Sequence, residues 1–387
     1  MIKTAVLLLA LASCIDKLPP ITGTTSLEIT LVTPADPGDV NTRLDENARS
    51  IVVNVQAKDA NGNDDATYTK SITVYVHFLG TLSPYLDGTP VTTFMVTAGQ
   101  ASNVHVALPP VFGPTTLWFD DHADTDATYA TGISPTLWYR DPFIADIQTP
   151  ISETASNAFD TSPLQGKNVA VNTSKHGVDG RMVVTSVFAQ GYTVADVQCA
   201  AGGVPPCVAD PYDYIEVFSF SAPTDQHAQF LFEGQTIAGF SGGISEFHGL
   251  TEIGFPQTFV TSASVVNKAL EPPTAVVDAT WFGANKINFE RNEAGAIEID
   301  GGVVCPLDAD YTTYKQWKLD PAGVGDAAAC GSRNLINIIT AGVVEIDPGT
   351  LVGKVVPKVV GILRPVSIGS FNVWIIFPRS MADLTVN

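Results

Sequence analysis

Two stretches of this chain carry residue types at spacings that could do chemistry. Gly239-Phe240-Ser241-Gly242-Gly243 matches the Gly-x-Ser-x-Gly pattern around a nucleophilic serine. Such a serine reacts only where a strained strand-to-helix turn lifts its hydroxyl beside a base. Here both flanks read as strand and local sequence offers no His or Asp partner, so a bulge or glycine bend is expected and a serine hydrolase is not. The second stretch, Asp120-Asp121-His122-Ala123-Asp124-Thr125-Asp126, sets Asp120, Asp121, Asp124 and Asp126 in one loop. Calcium takes roughly six to eight oxygen ligands from flexible loops, so these four carboxylates are the candidate calcium ligands, set against a plain solvated acidic loop.

The other chemical leads are weaker. Asp59-Ala60-Asn61-Gly62-Asn63-Asp64-Asp65 opens like a calcium loop of the EF-hand type, but its glycine stands fourth and Lys70 occupies the twelfth place. A hairpin turn accounts for it better. Gly349-Thr350-Leu351-Val352-Gly353-Lys354 is one residue short of a phosphate loop, and Val355 stands where Ser or Thr belongs. His77, His105, His122, His176, His227 and His248 occur singly, without metal-ligand spacing. No catalytic residues are expected, and calcium is the one cofactor with a candidate site.

The N-terminus supplies an address. Lys3, the apolar run 5–11 and then Leu11-Ala12-Ser13-Cys14 form an export signal too short to span a bilayer. The last four residues resemble the lipobox of bacterial lipoproteins. That resemblance implies cleavage before Cys14, lipid on its sulfur, and attachment to the membrane through lipid. Ile15, in place of Asp, implies sorting to the outer membrane.

Composition narrows the function classes. Charged residues make up 16% of 387, against roughly 25% in ordinary soluble domains. Twenty basic against forty acidic residues leave a net charge of −20, and the basic ones are scattered. Proteins that hold nucleic acid neutralise its phosphates with clustered Lys and Arg, so nucleic acid is an unexpected partner. Beyond Cys14, four cysteines remain. They permit three connectivities, and an oxidising compartment with sequence proximity favours Cys199 with Cys207 and Cys305 with Cys330.

Abundant Val, Thr and Ile with 32 Gly and 26 Pro predict strands and turns. Alternating runs at 27–31, 51–57, 72–76, 92–96, 103–108, 115–119 and 137–139 predict a sandwich over 27–148. The stretch 53–63, with its Asn61-Gly62 turn, resembles bacterial immunoglobulin-like modules. A tether over 14–26 precedes the sandwich, and a Pro-, Ser- and Thr-rich linker over 149–165 follows it. In the next segment, 166–268, Ser245-Glu246-Phe247-His248-Gly249-Leu250-Thr251-Glu252 stands out. It resembles the OB-fold modules attached to secreted bacterial nucleases and surface proteins. Segment 285–387 repeats the plan when Gly361 is aligned on Gly243.

The sequence thus predicts an all-β chain: an immunoglobulin-like β-sandwich followed by two OB-like β-barrels. OB-like barrels hold strands of nucleic acid or sugar on aromatic rings beside cations. Trp281, Phe282, Phe289, Trp317, Trp374 and Phe377, with Lys315, Lys318, Arg364 and Arg379, are the residues of that kind, although most are expected in the core. The expected function is that of a non-catalytic binding or scaffolding module in the cell envelope with a protein partner there. A nucleic-acid- or glycan-binding accessory protein is the alternative.

Overall fold

A computed structural model of the chain describes residues 23–81, 89–122, 129–154, 159–325, 328–331 and 334–386. Strands hold 47% of the chain and helix 11%, so the fold is all-β as expected. No helix among the described residues is long and apolar enough to cross a membrane. The contacts divide the described chain into two compact units, residues 23–78 with 89–139, and 79–81 with 140–386.

The first unit is one sheet. Its strands follow in the order Thr89–Val96, Lys70–Phe78, Pro114–Asp120, Thr131–Ile133, Thr24–Thr33, Ser50–Asp59 and Gln100–Ala107, and Leu137–Trp138 adds to Pro114–Asp120. The two edge strands are consecutive in the chain and joined by a tight turn at 97–100, so the sheet curls until its edges meet. Gly99 is required there. Its φ is +78°, and a Cβ would lie 2.3 Å from the Asp65 carbonyl oxygen. Period-two alternation sends Ile51, Val53, Val55 and Ala57 inward with Ile72, Val74, Val76, Leu117 and Phe119.

The Asn61-Gly62 turn forms, but not as a hairpin between two paired strands. Lys58 bridges Asp64, and the Asp59 carboxylate accepts the Asn61 and Asn63 backbone N–H groups. Both edges of Ser50–Asp59 are already taken, by Thr24–Thr33 and Gln100–Ala107. Lys70–Phe78 therefore pairs elsewhere, between Thr89–Val96 and Pro114–Asp120.

In the second unit, two barrels share one topology. The first runs through Gly180–Phe188, Gly191–Ala200, Tyr214–Phe218, then Thr236–Ile237 continued as Gly239–Phe247, and finally Leu250–Phe259. The first strand pairs with the second and fourth, the second with the third, and the third with the fifth in parallel. The fifth pairs with the fourth, closing the order 1-2-3-5-4-1. The second barrel repeats this order. Its strands are Ala296–Ile299 with Gly302–Val304, Gln316–Asp320, Ile336–Ile339, Val355–Val356 with Lys358–Ile368, and Phe371–Phe377. Again the third and fifth strands are the parallel pair. Counted from the paired dipeptides 236–237 and 355–356, the equivalent of Gly361 is Gly242, one residue from the expected Gly243.

The division between units falls at 139/140. The helix Ile144–Gln148 accordingly belongs to the second unit, where the Gln148 amide donates to the Tyr214 carbonyl at 2.6 Å. The described part of the 149–165 linker is packed as well: Phe159 stacks on Trp374 with ring centroids 5.3 Å apart. Both expected disulfides are present, Cys199–Cys207 and Cys305–Cys330. The second barrel's core gathers Trp281, Phe289, Trp317, Leu319, Ile338, Leu363, Trp374 and Ile376.

At Gly361 a Cβ would sit 2.6 Å from the backbone carbonyl of Phe377, where strands four and five touch. Gly361→Ala should lower the unfolding free energy by about 1–3 kcal/mol. At Gly254 the nearest atom to a Cβ is 3.8 Å away, and Gly254→Ala should shift stability by less than about 0.5 kcal/mol. Urea titrations of both variants check the contrast.

Candidate binding cleft

The distinctive segment 245–252 forms one wall of a cleft between the two barrels. Ser245 pairs with Glu252, Glu246 with Thr251 and Phe247 with Leu250 across the fourth and fifth strands. The side chains repeat the pairing, since Ser245 Oγ donates to Glu252 Oε1 at 3.2 Å and Thr251 Oγ1 to Glu246 Oε1 at 2.9 Å. Gly249, with φ +87°, makes the turn. Phe247, His248, Leu250 and Glu252 then face a cleft of about 260 Å³. Phe188 and Gln190, from the turn between strands one and two, line it beside Glu216 and Phe218 of the third strand. The second barrel contributes Arg364, Pro365, Val366 and Phe377.

Arg364 organises this cleft. Its guanidinium lies 4.4 Å from the Phe188 ring centre and 5.0 Å from that of Phe377. Its Nε approaches Glu216 Oε2 at 2.7 Å. The planar cation is thus stacked on aromatic faces from both barrels and paired with a buried carboxylate. A backbone bond, Ser367 N–H to the His248 carbonyl at 2.6 Å, joins the barrels alongside.

Behind the cleft lie more glutamates than Arg364 can neutralise. Glu290 and Glu293 come from and just after the helix Ile287–Arg291, and both are buried. The Thr251 N–H donates to Glu293 Oε1 at 2.9 Å, and the Ser162 N–H to Glu246 Oε1 at 2.7 Å. Oε2 of Glu246, Glu290 and Glu293 is buried without a hydrogen-bond partner. Loss of water disfavours the charged form of each group. Burial pushes the Glu216 carboxyl up to about 7 against the pull of Arg364. Burial likewise raises Glu290 to about 8, with Glu246 adding repulsion, and lifts Glu293 well above the ordinary carboxylate range. Glu246 and Glu252 are raised too, again chiefly by burial.

From the cleft an aromatic row runs outward over the first barrel. Phe218 contacts Phe220 with ring centroids 4.6 Å apart, and Phe220 contacts Phe255 at 5.2 Å. Phe220 is 58% exposed and Phe255 83%. Both hold positive φ, +57° and +51°, which bulky residues rarely adopt. A bulge explains Phe255: the fourth strand slips register against the fifth between Ser241 and Gly243. At Gly242 a Cβ would lie 2.5 Å from Ile253 Cγ2. The glycine-rich Ser241 motif therefore builds the bulge that turns Phe255 outward. Ser241 itself sits mid-strand, paired with Ala170 and Gln257.

The residues singled out in the sequence fall elsewhere. Asp120 accepts the His122 N–H at 2.7 Å, and the buried Asp121 accepts the Tyr68 hydroxyl at 2.9 Å. Asp124 and Asp126 lie outside the described residues, as does Cys14. Trp281, Phe289, Trp317 and Trp374 are buried core, not a stacking face. Lys318 pairs with Asp308 and Asp310, Arg379 with Asp383 and Glu271, and Lys315 lies over Tyr311. Exposed rings on the first barrel include Phe220, Phe247 and Phe255, with Phe230 and Phe232. The signal for Phe255 was the glycine pair 242–243 opposite it, because an inserted residue on one strand breaks the alternation that marks inward positions.

Fold and cleft together define an all-β modular protein with two barrels of one topology and a cleft at their junction. No family model matches the chain, and no curated protein matches it. Among solved structures, dimeric latent PorU from Porphyromonas gingivalis aligns over 92% of this chain at 11% identity with a TM-score of 0.22, and this chain spans about a third (34%) of that one. A likeness at that score carries no argument about fold or activity.

The buried glutamates predict a pH dependence. Their protons stay bound in the folded chain at pH values where exposed glutamates, at the ordinary 4.5, have lost them. Stability from these groups is complete below that ordinary value and is lost as pH rises through about 7 and 8. Glu290→Gln keeps the shape and needs no proton, so it should flatten the decline between about pH 5 and pH 8 in urea unfolding. An unchanged slope would show Glu290 to be ionised in the folded chain.

Proposed function

We propose that this protein is a non-catalytic binding module of the cell envelope, held at the outer membrane by lipid on Cys14, that takes a neutral glycan in the inter-barrel cleft. One observation carries the reading. The cleft is built from the turn between strands one and two (Phe188, Gln190), the turn between strands four and five (Phe247, His248) and the third strand (Glu216, Phe218). That is the face on which barrels of this order receive oligonucleotides and oligosaccharides.

Electrostatics chooses between those two ligands. Glu216 and Glu252 line the cleft, Arg364 is engaged by Glu216, and the chain carries −20 overall. Phosphates would be repelled. Hydroxyl groups would instead find carboxylate acceptors, the Gln190 amide and the Arg364 fork. The flat apolar faces of sugar rings match the exposed rings of Phe247, Phe220 and Phe255. A mid-strand Ser241 supports binding in place of hydrolysis.

Retention of the full chain on immobilised neutral polysaccharides tests this. Phe220→Ala and Phe247→Ala should each weaken binding by about three- to tenfold, the scale of one aromatic contact. Membrane association should be lost in Cys14→Ser while glycan binding persists. Retention on DNA that falls steeply with salt, with none on polysaccharide, would contradict the proposal.

A further inference from the structure

Apart from the residues that line the cleft, two segments of the first barrel bring His176, Asp210 and Asp213 together, with candidate ligand atoms all within 4.8 Å of one another. Residues 172–176 follow the strand Lys167–Val171 and lead into the short turn Gly177–Asp179. Asp210 and Asp213 lie between Val204–Val208 and Tyr214–Phe218, just after the Cys199–Cys207 disulfide. Backbone bonds fix the loops: the Asp210 N–H donates to Asp213 Oδ2 at 2.9 Å and the Asp196 N–H to the Asp213 carbonyl at 2.8 Å.

His176 Nε2 stands 3.0 Å from Asp213 Oδ2. Two ligands at about 2.0 Å from a tetrahedral metal are separated by about 3.3 Å, so a small shift admits a cation between them. A second, independent observation comes from Asp196 on the second strand. It is 1% exposed, its Oδ2 accepts the Lys175 N–H at 2.9 Å, and its charge acts directly on Asp213 and His176. Its Oδ1 is buried and meets no donor at good hydrogen-bond geometry, with the Ser174 hydroxyl the nearest side-chain group to ease the carboxylate. A buried carboxylate oxygen without a donor is costly, and buried charges pair or bind metal.

The charges say which species fits. Asp196, Asp210 and Asp213 face one ammonium, that of Lys175, whose Nζ lies 2.7 Å from Asp213 Oδ1 and 3.5 Å from Asp210 Oδ2. With the imidazole neutral, as a ligand must be, and Lys175 withdrawn, three carboxylates face the position, an excess of negative charge that a divalent cation cuts to one. An imidazole nitrogen with carboxylate oxygens favours zinc over calcium, which prefers oxygen alone. Lys175 has 22% of its side chain exposed and can swing out to water.

We propose that His176, Asp210 and Asp213 bind zinc(II), with Asp196 supporting the site from behind and Lys175 acting as a built-in competitor that occupies the position when zinc is scarce. Bound zinc clamps the 172–176 segment onto the disulfide-closed hairpin and so strengthens one end of the first barrel.

Thermal unfolding and calorimetric titration of the full chain with zinc chloride after chelation test this. Zinc at about a hundredfold excess over its Kd should raise the unfolding midpoint by about 5 °C. The shift should vanish in His176→Ala and in Asp213→Asn; because Asp213 is buried, His176→Ala decides if that variant does not fold. Lys175→Met should tighten zinc binding about tenfold or more. An unshifted wild-type midpoint, an undiminished shift in His176→Ala, or an equal shift with calcium would overturn the assignment. So would a Lys175→Met chain that loses stability and gains nothing from zinc, since the ammonium would then be the permanent cation.

Discussion

The second unit depends on one pairing, the guanidinium of Arg364 against the buried carboxylate of Glu216. It ties the fourth strand of one barrel to the third strand of the other, and the rings of Phe188 and Phe377 hold the cation in place. Removing one member of a buried pair leaves the other charged and desolvated, at a cost of about 3–5 kcal/mol. The surrounding glutamates sharpen this dependence. Burial raises the carboxyls of Glu246, Glu290 and Glu293, and repulsion from neighbouring carboxylates adds to it, so ionising all three at once disfavours the junction. The cleft and the junction are therefore one object, and what keeps the barrels together also shapes the site.

That arrangement explains why the residues that line the cleft are not those that look most chemical. The Ser241 motif supplies the glycine for a bulge, and the bulge aims Phe255. The Ser-Glu-Phe segment supplies cross-strand hydrogen bonds on both strand faces and a cleft-lining ring, Phe247, beside its turn. Gln190 and His248 line the cleft from turns of the barrel, where side chains can vary without disturbing pairing.

How much of this was legible follows from how local each signal is. Period-two alternation marked most strands, and the two cystines followed from sequence proximity, because both depend on neighbours in the chain. The repeat of 242 and 361 was visible to within one residue, since both glycines answer the same crowding between strands four and five. The partnership of Arg364 with Glu216, and of His176 with Asp213, joins residues far apart in sequence, and nothing in the local pattern of either partner marks it. Most of the third segment's aromatics were expected in the core because barrel interiors need large apolar side chains, and Trp281, Phe289, Trp317 and Trp374 are buried there. The Asn61-Gly62 turn was real, yet the strands beside it had other partners, which turn chemistry does not report.

On this reading Arg364 and Glu216 make the two barrels one cooperative body. Differential scanning calorimetry of Arg364→Leu measures this directly. The claim predicts that the transition from the barrels splits into two, with the junctional amides of Tyr214–Phe218 and Leu250–Phe259 losing hydrogen-exchange protection. A single transition with the wild-type midpoint and unchanged protection would contradict it.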